Sequence, residues 1–370
     1  MKKLVLSLQL LLILISSGYV SGQQYFETSA FNNEYSHLVL THPTVHNVKT
    51  FMNLIRKDLV DLTDTRIVGV FYEHSRYDYQ KTREFLDTCD SVKQDILLHK
   101  ISDSVDVDDL YKENDLSDDF EMIFQHSEGI IFFGGPDMPT QTYGEKTNLL
   151  TSIYDPGRHF FELTFLFHLT GGSQDPAYKP LLATDPDYLI YGFCLGMQTM
   201  NVAAGGTLVQ DIPTEIYGVE YAEDVVKMDE NAVHRNYYRH TDMDDALLSG
   251  SFHQVDIQNG TFLRKLSDNA NPWIYSNHHQ CIDELGQNYA VIAHSMDNNI
   301  IEAFRHNKYE NVIAVQFHPE AMLLYNDDIE FRIQPGDQLQ KGKNILEEKN
   351  SMKFHKAYWK DFSERFNALN

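Results

Sequence analysis

The chain has 370 residues, of which 42% are hydrophobic and 12% aromatic, so it can bury a large core and is not disordered throughout. Its formal net charge of -24 excludes nucleic acid as an expected partner, because the phosphate backbone would be repelled. The three cysteines, Cys89, Cys194 and Cys281, are too few and too scattered for a disulfide framework or a zinc knuckle, and a Cys89–Cys281 pairing stays open.

Residues 1–22 have the pattern of a secretory signal peptide. Lys2 and Lys3 precede an unbroken apolar stretch at 10–15, and small and polar residues then lead to Gly22. The apolar stretch is short for a membrane span, which favours cleavage near Gly22 over a signal anchor. No later segment has the apolar length of a span. We therefore expect an exported protein, periplasmic or secreted, with no membrane span once the signal is removed.

From residue 37 onwards, short apolar runs alternate with segments of helical periodicity, and this rhythm predicts a parallel sheet covered on both faces. Buried strands are predicted at 67–71, 96–98, 130–133, 188–191, 255–257, 290–293, 300–304 and 312–317. Helical periodicity is found at 45–62, 77–86, 160–169 and 197–204. Ser117 is the predicted N-cap of a further helix. The predicted fold class is α/β, a doubly wound, mainly parallel sheet.

The C-terminal segment has one aromatic residue every fourth position, which predicts a helix with an aromatic face that packs in the core. These residues are Phe354, Tyr358, Phe362 and Phe366.

Cys194 lies between a predicted buried strand and a predicted helix, in a Gly-x-nucleophile-x-Gly elbow with cysteine in place of serine. A nucleophile on such a sharp turn is strained, so its neighbours Gly192 and Gly196 must be small. The helix N-terminus would favour a thiolate and offer the Leu195 N–H to an oxyanion. The alternative is a buried, inert cysteine beside two packing glycines.

His318 and Glu320 flank a proline at the end of the last predicted core strand. In an extended chain, residues two apart point the same way, so both side chains can face the nucleophile. The imidazole would take the thiol proton, and the carboxylate would fix the tautomer and orientation of the ring. A surface His-Pro-Glu turn is the alternative, but its coincidence with the elbow favours a catalytic triad.

Residues 134–137, Gly-Gly-Pro-Asp, form the loop after the strand at 130–133. Glycines let backbone N–H groups approach a reacting carbonyl, so we expect Gly135 to be a second oxyanion donor beside Leu195.

Together these motifs resemble the class I glutamine amidotransferase superfamily, and more narrowly the peptidase C26 group that includes gamma-glutamyl hydrolases. The resemblance covers roughly residues 129–320, and the segments 143–145, 201–211, 277–280 and 301–303 follow in the C26 order. It implies a flavodoxin-like, class I glutamine amidotransferase-like sheet. It also implies that Cys194 attacks a gamma-glutamyl amide and forms a thioester, with a small gamma-glutamyl compound as the substrate. The implied substrate-binding residues are Gln198, His278, His279 and Gln280.

Some features limit what the resemblance implies. Leu195 stands where C26 members near the gamma-glutamyl-GABA hydrolase usually have arginine, and His159 follows Arg158 where aspartate is common, so the substrate is open. His278 and His279 raise the question of metal binding, but no third ligand at suitable spacing accompanies them. We therefore expect no metal and no cofactor.

The expected organisation is a signal peptide at 1–22, an N-terminal extension at 23–36, a catalytic domain at 37–325 and a C-terminal helical extension at 326–370. Two other functions remain open at this stage. One is a glutaminase or peptidase of different amide specificity, and the other is a catalytically silent protein that binds gamma-glutamyl ligands.

Overall fold

A computed structural model of the protein describes residues 24–89, 96–268 and 271–369, so the predicted signal peptide at 1–22 lies outside the described residues. The strands are β1 (Ser36–Thr41), β2 (Thr65–Tyr72), β3 (Ile96–Ile101), β4 (Gly129–Phe132), β5 (Leu189–Phe193), β6 (Leu208–Val209), β7 (Ser251–Ile257), β8 (Trp273–Ser276), β9 (Cys281–Ile282), β10 (Tyr289–Ser295), β11 (Ile301–His306) and β12 (Val312–Val315). The α-helices are α1 (Val45–Arg56), α2 (Gln80–Thr88), α3 (Ser117–Gln125), α4 (Pro156–Thr170), α5 (Leu195–Ala203), α6 (Ile212–Glu215), α7 (Ala222–Val225), α8 (Phe262–Leu266), α9 (Gly342–Glu348) and α10 (Met352–Asn367).

Ten of these strands form one sheet in the order β3-β2-β1-β4-β5-β12-β11-β10-β7-β8. All neighbours from β3 to β12 are parallel. The pairs from β12 to β8 are antiparallel. The short strands β6 and β9 pair separately. The predicted α/β class with a mainly parallel sheet is confirmed, and the carboxyl ends of β4, β5 and β12 lie side by side.

Helices cover both faces of this sheet. Leu38 of β1 lies in one hydrophobic cluster with Phe51 of α1 and Phe362 of α10. The next residue, Val39, lies in the other cluster with Phe165 of α4. Because successive residues of a strand point to opposite faces, a strand buried on both faces must be apolar at every position. This explains why the parallel strands could be found as continuous apolar runs.

The C-terminal helix α10 packs under the strands that lead to the candidate site. Its predicted aromatic face is confirmed, since Phe354, Tyr358, Phe362 and Phe366 are all buried. Trp359, in the same helix, donates its indole N–H to the carbonyl oxygen of Pro319 at 3.1 Å. The segment at 326–370 therefore contributes to the core on the same face as α1.

Two details of the predicted helices were wrong. Ser117 is the first residue of α3 rather than its N-cap, and its hydroxyl hydrogen-bonds the His168 ring at 2.8 Å. The first helix ends at Arg56 rather than at 62, because Asp58 has a φ of 53°, which a continuing helix cannot contain. Leu62 is nevertheless buried, which explains why the helical spacing of apolar residues continues beyond the end of the helix.

Cys89, Cys194 and Cys281 are all free thiols, so the open question of a Cys89–Cys281 disulfide is answered in the negative. Among the described helices, none is both long enough and apolar enough to cross a lipid bilayer.

Candidate active site

Cys194 occupies the sharp turn between β5 and α5. Its φ of 51° and ψ of -106° are rare for a residue with a side chain and indicate backbone strain. A Cβ at Gly192 would lie 2.9 Å from the carbonyl carbon of Gly196, and a Cβ at Gly196 would collide with the carbonyl oxygen of Phe132. Gly192 therefore lets α5 start directly behind β5, and Gly196 lets the turn close against β4.

His318 follows β12 and lies beside Cys194. Its Nδ1–H donates to Glu320 Oε1 at 2.7 Å, which leaves Nε2 for the thiol, and the ring is close enough to interact with the Cys194 side chain. The backbone N–H of His318 donates to the carbonyl oxygen of Tyr275 in β8 at 2.8 Å. The structure thus brings the three residues of the predicted triad together, and β8 supports the histidine from behind.

The electrostatics of this trio favour the charged form of His318. Burial by itself lowers the pKa of His318, because the imidazolium loses its hydration. The Glu320 carboxylate and the Cys194 side chain outweigh that effect and hold the pKa of His318 well above its usual value. An imidazolium beside the sulfur stabilises a thiolate, which is the nucleophilic form of cysteine.

Gly135 and Leu195 lie together next to the nucleophile. A Cβ at Gly135 would lie 2.8 Å from Cδ2 of Leu195, and Gly135 lines the same cavity as Cys194. Leu195 is the first residue of α5, where backbone N–H groups have no partner within the helix. These two residues can therefore direct N–H groups at an oxygen that gains negative charge during attack by the thiolate.

Arg158 supports the loop that carries Gly135, and the sequence analysis gave it no such role. Its guanidinium donates from Nη2 to the carbonyl oxygens of Phe133 and Gly134, at 2.8 Å and 3.2 Å. Its Nε donates to Glu162 Oε1 at 3.1 Å, one turn along α4. Burial raises the pKa of Glu162 against the opposing effect of the arginine. An Arg-Glu pair four residues apart in an otherwise apolar helix was the available signal.

A cavity of about 440 Å³ opens on Cys194 and is called the Cys-side cavity. The four predicted substrate-binding residues all line it: Gln198, His278, His279 and Gln280. Two basic residues that the sequence analysis missed, Arg235 and His240, line it as well. A single basic residue in a loop has no pattern that could have identified it.

The glutamine side chains hold the wall of the Cys-side cavity in place. Gln198 donates from Nε2 to the carbonyl oxygen of Gln280 at 3.1 Å and to Oε1 of Gln316 at 3.3 Å. Gln280 in turn donates from its own Nε2 to the carbonyl oxygen of Gln210 at 3.2 Å. These amide groups therefore fix the wall in addition to lining the cavity.

The two adjacent histidines point to different surroundings. His279 lies between two carboxylates, with Nδ1 3.0 Å from Asp211 and Nε2 3.0 Å from Asp137. Burial opposes its charge, but the two aspartates raise the pKa of His279 to about 9, so it is a cation at neutral pH. His278 instead donates from Nδ1 to the carbonyl oxygen of Gln280 at 2.9 Å, and its Nε2 is buried without a hydrogen-bond partner.

A second cavity, of about 290 Å³, lies on the other side of the triad and is called the His-side cavity. It is lined by His318 and Glu320 and has apolar walls from Phe133, Tyr275 and Leu323. Asn277 lines both cavities, so the two spaces are neighbours.

About half of this chain is similar in sequence to known proteins. A glutamine amidotransferase-like protein, YvdE, of Lactococcus lactis subsp. lactis is 30% identical over 191 residues, which cover 52% of this chain and 65% of that protein. The glutamine amidotransferase-like protein RP404 of Rickettsia prowazekii is 28% identical over 225 residues, 55% of this chain and 74% of that protein. The chain thus spans just under two thirds of the length of YvdE.

A solved structure of a GMP synthase subunit from Thermoplasma acidophilum aligns with 89% of this chain and 98% of its own, at 12% identity and a TM-score of 0.37. The family model for peptidase C26 matches residues 110–320, which include the elbow, the 134–137 loop and the His-Pro-Glu segment. Because this match covers more than half of the chain, the protein belongs to the peptidase C26 family.

Proposed function

We propose that the protein is an exported cysteine hydrolase that cleaves gamma-glutamyl amide or peptide bonds. One observation carries the proposal: Cys194 lies on a strained elbow, and His318 interacts with the Cys194 side chain while its Nδ1 is hydrogen-bonded to Glu320. A nucleophile, a base and an orienting carboxylate are the components that nucleophilic acyl transfer needs. Membership of peptidase C26 supports an amide bond as the target.

The reaction begins when the Cys194 thiolate attacks the gamma-carbonyl carbon and forms a C–S bond. The carbonyl oxygen becomes negative and accepts hydrogen bonds from the N–H groups of Gly135 and Leu195. As the C–N bond breaks, His318 gives its proton to the leaving nitrogen, and a thioester remains. His318 then takes a proton from water, the hydroxide oxygen attacks the thioester, and glutamate leaves as the thiolate is restored.

The charges of the Cys-side cavity support a gamma-glutamyl group as the acyl part. Such a group carries an alpha-carboxylate and an alpha-ammonium. Arg235 can bind the carboxylate, and Asp137 offers a negative charge to the ammonium. A volume of about 440 Å³ falls within the range of small-molecule sites, about 300–1,000 Å³.

The His-side cavity supports an apolar or aromatic amine as the leaving group. The leaving nitrogen takes its proton from His318, so the group it carries must lie on the imidazole side of the triad. Phe133, Tyr275 and Leu323 offer apolar contact there, and no lysine or arginine is among the described lining residues. A leaving group with several carboxylates would find no lysine or arginine to pair with among these described residues, and His318 is already engaged by Glu320.

Export rests on the pattern of residues 1–22 alone. Expression of the full chain in a secreting host, followed by N-terminal sequencing of the mature protein, tests it. We expect the sequence to start near Gln23. An intact N-terminus in the cytoplasmic fraction would contradict export and leave the proposed chemistry untouched.

The substrate assignment is tested by hydrolysis of a matched panel. The reference compound is gamma-glutamyl anilide. Gamma-glutamylglutamate and glutamine change its leaving group, and alpha-glutamyl anilide changes the carboxyl group that forms the amide. We expect gamma-glutamyl anilide to have the highest kcat/KM and its alpha isomer to be inert. Preferred cleavage of glutamine or of the alpha isomer would favour the other amide specificities, and tight binding without turnover would favour a silent binding protein.

A further inference from the structure

Four buried side chains from distant parts of the chain meet behind the wall of the Cys-side cavity, and they are called the His₃Glu cluster. They are His234, His253, His278 and Glu302. Each is at most 5% exposed, and one ligand-type atom from each lies within 4.8 Å of the others. The first comes from the segment before β7, the second from β7, the third from the loop after β8 and the last from β11.

The spacing of three of these atoms is that of metal ligands. His234 Nδ1 lies 3.1 Å from His253 Nε2 and 3.1 Å from Glu302 Oε1, and the latter two atoms are 3.8 Å apart. Tetrahedral zinc with bonds of about 2.0–2.1 Å separates its ligand atoms by about 3.3 Å. The three atoms therefore already surround a space of the right size.

Two of the histidine rings are oriented as in metal sites. His253 Nδ1 lies 3.1 Å from the carbonyl oxygen of Gln254, and His278 Nδ1 lies 2.9 Å from that of Gln280. Because a carbonyl oxygen only accepts, each Nδ1 carries the proton and each Nε2 presents a lone pair to the cluster. Metal-binding histidines characteristically donate their second ring N–H to such a carbonyl or carboxylate.

The cluster leaves acceptor atoms unsatisfied. His278 Nε2 and both carboxylate oxygens of Glu302 are buried without a hydrogen bond in the described structure. His253 Nε2 accepts from Ser276 Oγ at 2.9 Å and from His234 Nδ1 at 3.1 Å, so a metal ion would replace both hydrogen bonds and the proton on His234 Nδ1. Lone pairs and a carboxylate that face one another in a buried space are unfavourable unless a positive charge lies between them.

We propose that the His₃Glu cluster binds one Zn²⁺ ion as a closed structural site. Three imidazoles and one carboxylate suit zinc, and four protein ligands leave no open position for a reacting water. The ion acts on the Cys-side cavity through His278, which donates to the Gln280 carbonyl oxygen that also accepts from Gln198. Zinc would therefore hold the cavity wall in the form that receives the substrate.

No metal was expected from the sequence, because no third ligand accompanies His278 and His279 at suitable spacing. The structure separates that pair, since His279 is held by two aspartates and is not in the cluster. The partners of His278 come from positions 234, 253 and 302, which no spacing rule connects.

The first test measures metal in the full chain, prepared without a polyhistidine tag and after incubation with Zn²⁺ and removal of excess ion. Mass spectrometry of the digested protein should find about one zinc per chain, as a closed four-ligand site predicts. Prolonged treatment with a strong chelator should lower the melting temperature by roughly 5 °C or more, and Zn²⁺ should restore it. Cobalt(II) in place of zinc should give the intense visible absorption of tetrahedral coordination.

Matched variants make the assignment specific. Glu302→Gln keeps the shape of the side chain and removes its charge, and His253→Gln removes an imidazole. We expect both to lower zinc content at least tenfold and to abolish the response of the melting temperature to Zn²⁺. His355→Gln is the control, because His355 is equally buried but is not part of the cluster, and its Nε2 donates to the carbonyl oxygen of Trp273. It should keep about one zinc whatever stability it loses.

Wild-type protein that holds no zinc after this incubation, and melts at the same temperature with and without Zn²⁺, would overturn the proposal. Stoichiometric zinc in both Glu302→Gln and His253→Gln would overturn it as well. If either variant fails to fold, the cobalt spectrum and zinc response of the wild type decide alone.

Discussion

His279 binds Asp137 with its Nε2 atom 3.0 Å from the carboxylate, and this contact joins two loops of the active site. Asp137 belongs to the 134–137 loop that presents Gly135, and His279 belongs to the wall of the Cys-side cavity. One ion pair thus fixes the position of two parts of the site. These are the loop that would stabilise the oxyanion and the wall that would bind the substrate.

His279→Gln should destabilise the protein by about 2 kcal/mol at pH 6 and by much less at pH 10. The pKa of His279 is raised to about 9, above the value near 6.5 of an unfolded chain. Its contribution is therefore complete below pH about 6.5 and is lost as the pH rises through about 9. Urea unfolding of both proteins at the two pH values measures the difference. His240→Gln, at an exposed position of the same cavity, is the control and should have little effect. An effect of His279→Gln that does not change with pH would show that charge is not its cause.

Glu320→Gln should keep the fold and lower kcat by roughly ten- to a thousand-fold with little change in KM. The amide can hold the ring of His318 but cannot stabilise the imidazolium that faces the sulfur. The loss should be smaller than in a serine triad, because a thiol is far more acidic than a hydroxyl. Steady-state rates on gamma-glutamyl anilide across near-neutral pH measure it. Unchanged rates would mean that Cys194 and His318 act without Glu320.

Arg158→Lys should lower kcat by roughly ten- to a hundred-fold, because the single nitrogen of lysine cannot bind Glu162 and both carbonyl oxygens in the fixed geometry of the guanidinium. Those carbonyls belong to Phe133 and Gly134, directly before the expected oxyanion donor. Arg365→Lys is a matched control, since Arg365 also pairs with an acid four residues away in a helix, at 2.7 Å from Asp361. We expect the control to retain full activity. A loss confined to KM would place the role of Arg158 in substrate binding.

The parallel part of the fold could be predicted because its strands are buried on both faces. Segments such as 130–133 and 188–191 are apolar at every position, and both became strands of the central sheet. Strand β1 was missed, although its apolar run at 38–40 is as long as the run at 96–98 that was predicted. The antiparallel strand β8 was missed as well, although it supports His318 through Tyr275.

The candidate site, too, could be predicted from the sequence only in part. The elbow around Cys194 and the His318–Glu320 pair depend on spacing within five residues or fewer, which a sequence displays directly. Arg235 lines the cavity from an irregular loop, and its position depends on how that loop folds against the sheet. The His₃Glu cluster exists only after β7, β11 and the loop after β8 have come together.

The central claim is that Cys194 forms a thioester with a gamma-glutamyl group. Rapid acid quenching of the protein with excess gamma-glutamyl anilide, followed by digestion and mass spectrometry, tests it most directly. The wild type and Cys89→Ser should both release a burst of aniline and carry a glutamyl adduct on the peptide that contains Cys194. Cys194→Ala should do neither, while it still binds the substrate. Turnover by Cys194→Ala, or an adduct on Cys89 or Cys281 instead, would contradict the assignment of the nucleophile.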